Sequence, residues 1–458
     1  MAETAKKKMG VDFTEGKILP MMIRFIGPFL LANLLNSLYN TIDTMIIGQF
    51  VGSTGIVAVS LGGKMLNLFT NVGVALAGGG QIFIAQIIGA KRRDQLNSAI
   101  GTLLSEMFGL AVIFAVITLI LSRNIIVWLN TPAESFDAAL NYLRITCIGL
   151  PLIFGYNATS SVLRGMGDSM KPLIFIAIAA GFNLIGDIIF IVVFGLGATG
   201  TAIATVLGQG LSLVCSTVFL YKKKEQFGFD FKLKSFAIDW KKFWIVFKLG
   251  FPNVIRSFFI TGTQLVLMGY INMFGVESSA AYSIGDKVYH MANIFSTSVQ
   301  AASGSLIGQN FAAGKHDRIR KIMRYSFLMV VSVAAVLSAA SLLFPKAIFG
   351  LFTSEPGVLT FARPMMAISC IIYFLSSIMA AYEGVVAGTG NSILRMIGGI
   401  LDGVVFRIGL SFLFAYVFHM DVLGFFLADA CSRLAPVSIG MIYYHSGAWK
   451  KRKVLIKS

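Results

Sequence analysis

The chain has 458 residues, of which 56% are hydrophobic and 13% charged, and a formal net charge of +17. A soluble domain is about 25% charged, and the mean hydropathy here is +0.79, so a soluble globular protein is excluded. The basic excess lies in short loops between apolar stretches, so membrane topology explains it better than nucleic-acid binding does.

A span needs about 20 apolar residues. Stretches of that length predict twelve helices at 19–47, 54–80, 96–121, 134–161, 171–194, 199–220, 243–271, 277–304, 322–343, 357–386, 393–417 and 421–446. The N-terminal run is basic and flows straight into the first helix, so no removable signal peptide is expected.

The first helix carries the most informative stretch, Pro28–Gly48. Asn33, Asn36, Asn40 and Asp43 follow one another in steps of three and four, which places them on one stripe of a helix otherwise made of Leu, Ile, Met and Ala. An acid within a span costs about 2.5–3.5 kcal/mol on insertion scales and persists where it faces water or a partner. We read the stripe as the lining of a chamber in which Asp43 binds a driving cation. A polar seam that holds helices together is the alternative.

Loop charge sets the orientation. Lys6–Lys8, Lys17, Lys91, Arg92, Arg93, Lys222–Lys224, Lys315, Arg318 and Lys450–Lys453 fall on one side, whereas the other has Arg123, Lys346 and Arg363. Both termini are therefore expected in the cytoplasm. The long polar stretch 221–242 becomes a cytoplasmic linker at mid-chain.

That position invites a search for a repeat. At an offset of about 223 residues, Gly52 pairs with Gly275, Ser60 with Ser283, Lys64 with Lys287, Gln86 with Gln309 and Cys147 with Cys370. GMGDS at Gly165–Ser169 pairs with GTGNS at Gly388–Ser392. Six helices per copy make the repeat parallel. The fold expected is all-α and integral to the membrane, with two pseudo-symmetric six-helix bundles: a tail 1–18, an N-lobe 19–220, the linker 221–242, a C-lobe 243–446 and a tail 447–458.

Differences between the copies point to function. At the common offset Asp43 meets Val266 and Asn40 meets Thr263. The fifth helix carries Asn183 and Asp187 on one face, and its partner helix has no matching acid. Two acids held together in a low dielectric cannot both bear charge cheaply, so a proton is a natural third partner. A Na⁺ ion at Asp43, Asn183 and Asp187 is the other option. The C-lobe has its own charges, Glu383, Asp402, Arg407, Asp429 and Arg433, read as a network holding the lobe together. Asp429 and Arg433 pair along one helix face. Arg407 meets Asp402 or Asp429. The four cysteines have no metal-site spacing, so no disulfide, zinc site or cofactor is expected.

These features resemble the multidrug and toxic compound extrusion (MATE) transporters over nearly the whole chain. The matching motifs are Pro28 ahead of Asp43, Asn183-x-x-x-Asp187, and LRGMGDSMKP at Leu163–Pro172. The pattern is nearest the DinF-like branch with MepA-like pumps. The seventh helix lacks the acid expected in the NorM-like branch.

The resemblance implies a secondary antiporter that exports hydrophobic cationic drugs in exchange for H⁺ or Na⁺. Asp43, Asp187, Asn183 and Asn40 would couple the cation, and Asn33, Asn36, Asn157 and Thr205 would line the chamber. Pro28 would let the first helix bend. It implies a monomer in a prokaryotic cytoplasmic membrane. The alternative is a flippase for lipid-linked oligosaccharides, but arginines for an anionic head group are scarce in the N-lobe spans. Sequence motifs of hydrolases and of nucleotide-binding loops are missing, so the chain does not read as an enzyme.

Overall fold

Apolar stretches long enough to span a bilayer become helices for the same reason everywhere: in lipid each backbone amide must be satisfied within its own segment. The computed structural model describes residues 11–129 and 131–456, except for the side chains of Asn40, Thr44 and Ser53. The basic residues Lys6–Lys8 and Lys457 lie outside the described residues.

Among the described residues, twelve long helical segments follow in order. They are α1 (Ile18–Phe50), α2 (Ser53–Gly89), α3 (Leu96–Trp128), α4 (Ala133–Ile148 continued by Leu150–Gly165), α5 (Met170–Val193) and α6 (Gly197–Lys222). The second six are α7 (Trp240–Asn272), α8 (Val276–Ala312), α9 (His316–Leu343), α10 (Ala362–Gly388), α11 (Ser392–Val417) and α12 (Asp421–His445). Ten are individually long and apolar enough to cross a membrane, and α4 joins them as a pair bent by 45°. The remaining one, α8, has 37 residues and the length to span, but is more polar.

Several helices outrun their expected bounds. α2 continues to Gly89 rather than stopping at 80, and α8 runs to Ala312 rather than 304. The apolar run marks only the hydrocarbon layer, and the helix persists past it because its hydrogen bonds do. The bounds of α2, displaced by 223 residues, coincide with those of α8. Gly52 and Gly275, a repeat pair, precede these helices at φ 81° and 92°, a region open mainly to glycine.

The chain forms two compact units. Residues Arg24–Gly250 make the first, and Phe251–Ser458 with Phe13–Ile23 make the second. The segment before α1 is thus built into the second unit. Gln309 accepts from the Phe13 amide at 2.9 Å, and Asn310 donates to the Phe13 carbonyl at 3.0 Å. Arg318 donates to the carbonyls of Phe13, Glu15 and Gly16 at 2.9–3.0 Å, and Lys315 to that of Thr14 at 2.9 Å.

The linker is likewise docked, on α3. Ser105 donates to the Phe236 carbonyl at 2.7 Å, Thr102 accepts from the Asp239 amide at 3.1 Å, and Ser98 donates to Asp239 at 3.2 Å. Asp239 caps α7, accepting from the Lys241 amide at 3.0 Å. These bonds, with the Lys242 ion pair at 3.5 Å, outweigh burial and hold its carboxyl below the usual range.

Gly101 makes this docking close: a Cβ there would stand 1.7 Å from the Ser235 carbonyl oxygen. Gly101→Ala is therefore expected to lift the linker off α3. Limited trypsin digestion reads this, as faster cleavage at Lys232 and Lys234. An unchanged digestion rate would mean that the linker is held elsewhere.

Candidate functional site

Asp43 lies 25 residues into α1, and Asp187 closes the regular part of α5 before a π-helical stretch at Ile188–Val193. Both are buried, at 7% and 0% exposure. Their carboxyls stand within hydrogen-bonding reach of each other. Oriented by its hydrogen bonds, the Asn183 amide donates to Asp43 Oδ1 at 2.9 Å, and its oxygen accepts from the Thr205 backbone amide at 3.2 Å. Among the described residues neither oxygen of Asp187 has a donor. Two carboxyls facing one another without an intervening donor repel unless something positive is held between them.

Asn183 thus presents its NH₂, not its oxygen, to the acids. The Thr205 backbone amide on α6 takes its oxygen. Among the described residues no three His, Cys, Asp or Glu side chains gather as metal ligands.

Three further residues complete the site and were missed in the sequence. Tyr39 stands one helical turn before Asp43 and lines a cavity with Gln209 of α6, and Tyr142 of α4 is within electrostatic reach of both acids. Tyr39, Asn183, Thr205 and Gln209 line one small cavity with Ile176 and Ala179. Spacing was the available signal for two of them: Tyr39 is four residues from Asp43, and Gln209 four from Thr205.

The other expected chamber residues are less closely gathered. Asn33 and Asn36 are half-buried on α1, and the side chain of Asn40 lies outside the described residues. Asn157 donates to the Ile153 carbonyl of its own helix at 3.0 Å. Pro28 is buried within α1. Proline has no amide proton and disturbs the preceding turn. Beside it, Ser169 donates to the Phe25 carbonyl at 2.7 Å and the Arg164 guanidinium lies 4.1 Å from the Phe29 ring centre. α7 carries Pro252, one residue past the place that the repeat offset assigns to Pro28.

The charges of the second unit form two groups rather than the single network expected. In one, Arg407 pairs with Asp402 at 3.1 Å and with Asp429, and Arg433 pairs with Asp429 at 2.9 Å. In the other, Glu383 binds Arg256 at 2.9 Å and Arg395 at 3.5 Å, and also takes a bond from Gln300. Glu383 is separated because α10 turns it toward α7 and α11, where these arginines supply the charge balance that Arg407 gives to Asp402 and Asp429.

Two repeated sets of six helices, with a buried carboxyl pair in the first, define a polytopic membrane transporter. The MatE family model matches residues 28–189 and 252–417. The chain belongs to the MatE family, a family of transporters rather than enzymes. It is 25% identical over 439 residues to the probable multidrug resistance protein YoeA of Bacillus subtilis, with 94% of each chain covered. To the multidrug export protein MepA of Staphylococcus aureus it is 22% identical over 397 residues, 86% of each. Among solved structures it is similar to an outward-facing conformation of a multidrug resistance MATE family transporter of the MOP superfamily. That similarity has a TM-score of 0.90 and 18% identity, and covers 99% of this chain and 100% of the other.

Proposed function

We propose that the protein is a proton-coupled antiporter that exports hydrophobic organic cations from the cell, with Asp43 and Asp187 as the site that exchanges the coupling proton. The observation that carries this reading is the buried pair of facing carboxyls with Asn183 donating to one of them. A proton between them meets the need for a positive partner. The relatives named for multidrug resistance and export support the substrate class.

In this reading, a proton arriving from outside settles on the pair. The first unit then relaxes around α1 near Pro28, and the chamber loses affinity for its cationic cargo. Cargo and proton must prefer different states, since a ligand moves an equilibrium only by its differential affinity. The test is dye efflux from everted vesicles under an imposed ΔpH and, separately, an imposed Na⁺ gradient. ΔpH alone is expected to drive efflux, and transport driven by Na⁺ alone would overturn proton coupling.

We place both termini and the 221–242 linker in the cytoplasm, on the loop-charge asymmetry. Single cysteines replacing Lys223 and Lys346 are expected to label from opposite sides of the membrane. Labelling of both from one side would contradict this topology.

A further inference from the structure

The helix that is too polar to pass as a span by composition, α8, carries an unused pattern. Ser279, Ser283, Asp286, His290, Asn293 and Thr297 follow one another in alternating steps of four and three, one stripe along a helix. The stripe is not turned into the core. The Asp286 side chain is 37% exposed and that of His290 61%. In a membrane-spanning helix an exposed acid and imidazole cannot sit against lipid, so this face borders water. The repeat does not supply it: at the common offset Asp286 meets Gly63 and His290 meets Asn67 on α2.

At the centre, His290 Nε2 lies 3.5 Å from Asp286 Oδ1, one turn apart. Behind Asp286, Arg407 of α11 and Asp429 and Arg433 of α12 are within electrostatic reach, and Tyr282 stands one turn before it. Further along the same face, Asn293 shares a small cavity with Tyr289 and with Tyr373 of α10. The two buried arginines are already matched by Asp402 and Asp429. Asp286 is therefore a surplus negative charge, and its ion-pair partner among the described residues is His290.

We propose that the α8 stripe is a second cation-binding site, in which Asp286 takes the positive centre of an organic cation and His290, when protonated, displaces it. With neutral imidazole the carboxylate is open to a cation. With imidazolium the carboxylate is occupied by its own neighbour. This proposal rests on the drug-export reading for the kind of cargo, but uses none of its residues. It gives the second unit a pH-dependent release step of its own.

The test is binding of tetraphenylphosphonium to the purified full-length protein in nanodiscs, at about pH 5.5 and about pH 8, on either side of a typical histidine titration. Wild type, Asp286→Asn and His290→Gln are compared, each also in an Asp43→Asn background to remove that acid's titration. The wild type is expected to bind about tenfold more weakly at the acid pH, a change that corresponds to about 1.4 kcal/mol. His290→Gln is expected to bind equally well at both values. Asp286→Asn is expected to be weak at both, with Asp286→Glu restoring affinity.

His290→Gln alters an exposed side chain, so its profile can be read even if Asp286→Asn folds poorly. A His290→Gln profile that follows the wild type, or an Asp286→Asn protein that binds as tightly, would overturn the site. A wild-type protein that binds no organic cation at either pH would instead overturn the drug-export reading, and this site with it.

Discussion

Asp43→Asn is expected to lower ΔpH-driven efflux at least about tenfold while leaving a folded protein in the membrane. Asparagine has nearly the same shape and can still meet the Asn183 amide through its side-chain oxygen, which now takes the 2.9 Å bond. It does not titrate, so proton binding can no longer distinguish the transport states, and a site with no differential affinity shifts nothing. Asp187 remains, but without the facing carboxyl it loses the partner with which it would share a proton. Efflux rates in everted vesicles at matched expression decide the point, with tetraphenylphosphonium binding as a check on cargo recognition. A fully active Asp43→Asn protein would reduce the α1 stripe to a packing seam.

Asp429→Asn is expected to act on stability. Asp429 lies between Arg407 and Arg433, and all three are almost fully buried. Neutralising it leaves two buried guanidiniums with Asp402 as their remaining acid, and removing one partner of a buried pair typically costs about 3–5 kcal/mol. A lower midpoint in thermal unfolding of the detergent-solubilised protein is the expected result. The surviving fraction should keep its ΔpH dependence. A protein as stable as the parent but unable to couple would move Asp429 from scaffold to mechanism.

The fold was legible in the sequence because two strong signals agree. Apolar length marks the spans, and the ungapped pairings from Gly52–Gly275 to Cys147–Cys370 mark the repeat. Step counting placed Asp43 on a stripe, and subtraction of one repeat copy from the other singled out Asp187.

Packing between helices was not legible. Which oxygen or nitrogen Asn183 offers depends on the Thr205 amide of another helix, and Glu383 finds its partners on α7 and α11 rather than in its own neighbourhood. Tyr142 reaches the acids from α4 with no spacing rule to announce it. The α8 stripe obeys the same step rule as α1. The helix itself was expected at 277–304, but its stripe was not singled out because the comparison of the two copies was read only for acids of the first one.

The order in which a ribosome delivers the chain gives the Phe13–Gln309 bond a further meaning. These residues are 296 positions apart, although the first belongs to the opening segment of the protein. At about 5–20 residues per second, the docking groove for that segment is completed roughly 15–60 s after the segment itself emerges. Throughout that interval Phe13, fully buried in the finished protein, has no place to go. The second unit cannot be complete until Phe13–Ile23 joins it. A transporter truncated before Arg318 would therefore leave Phe13, Glu15 and Gly16 without the guanidinium that holds their carbonyls in the finished protein.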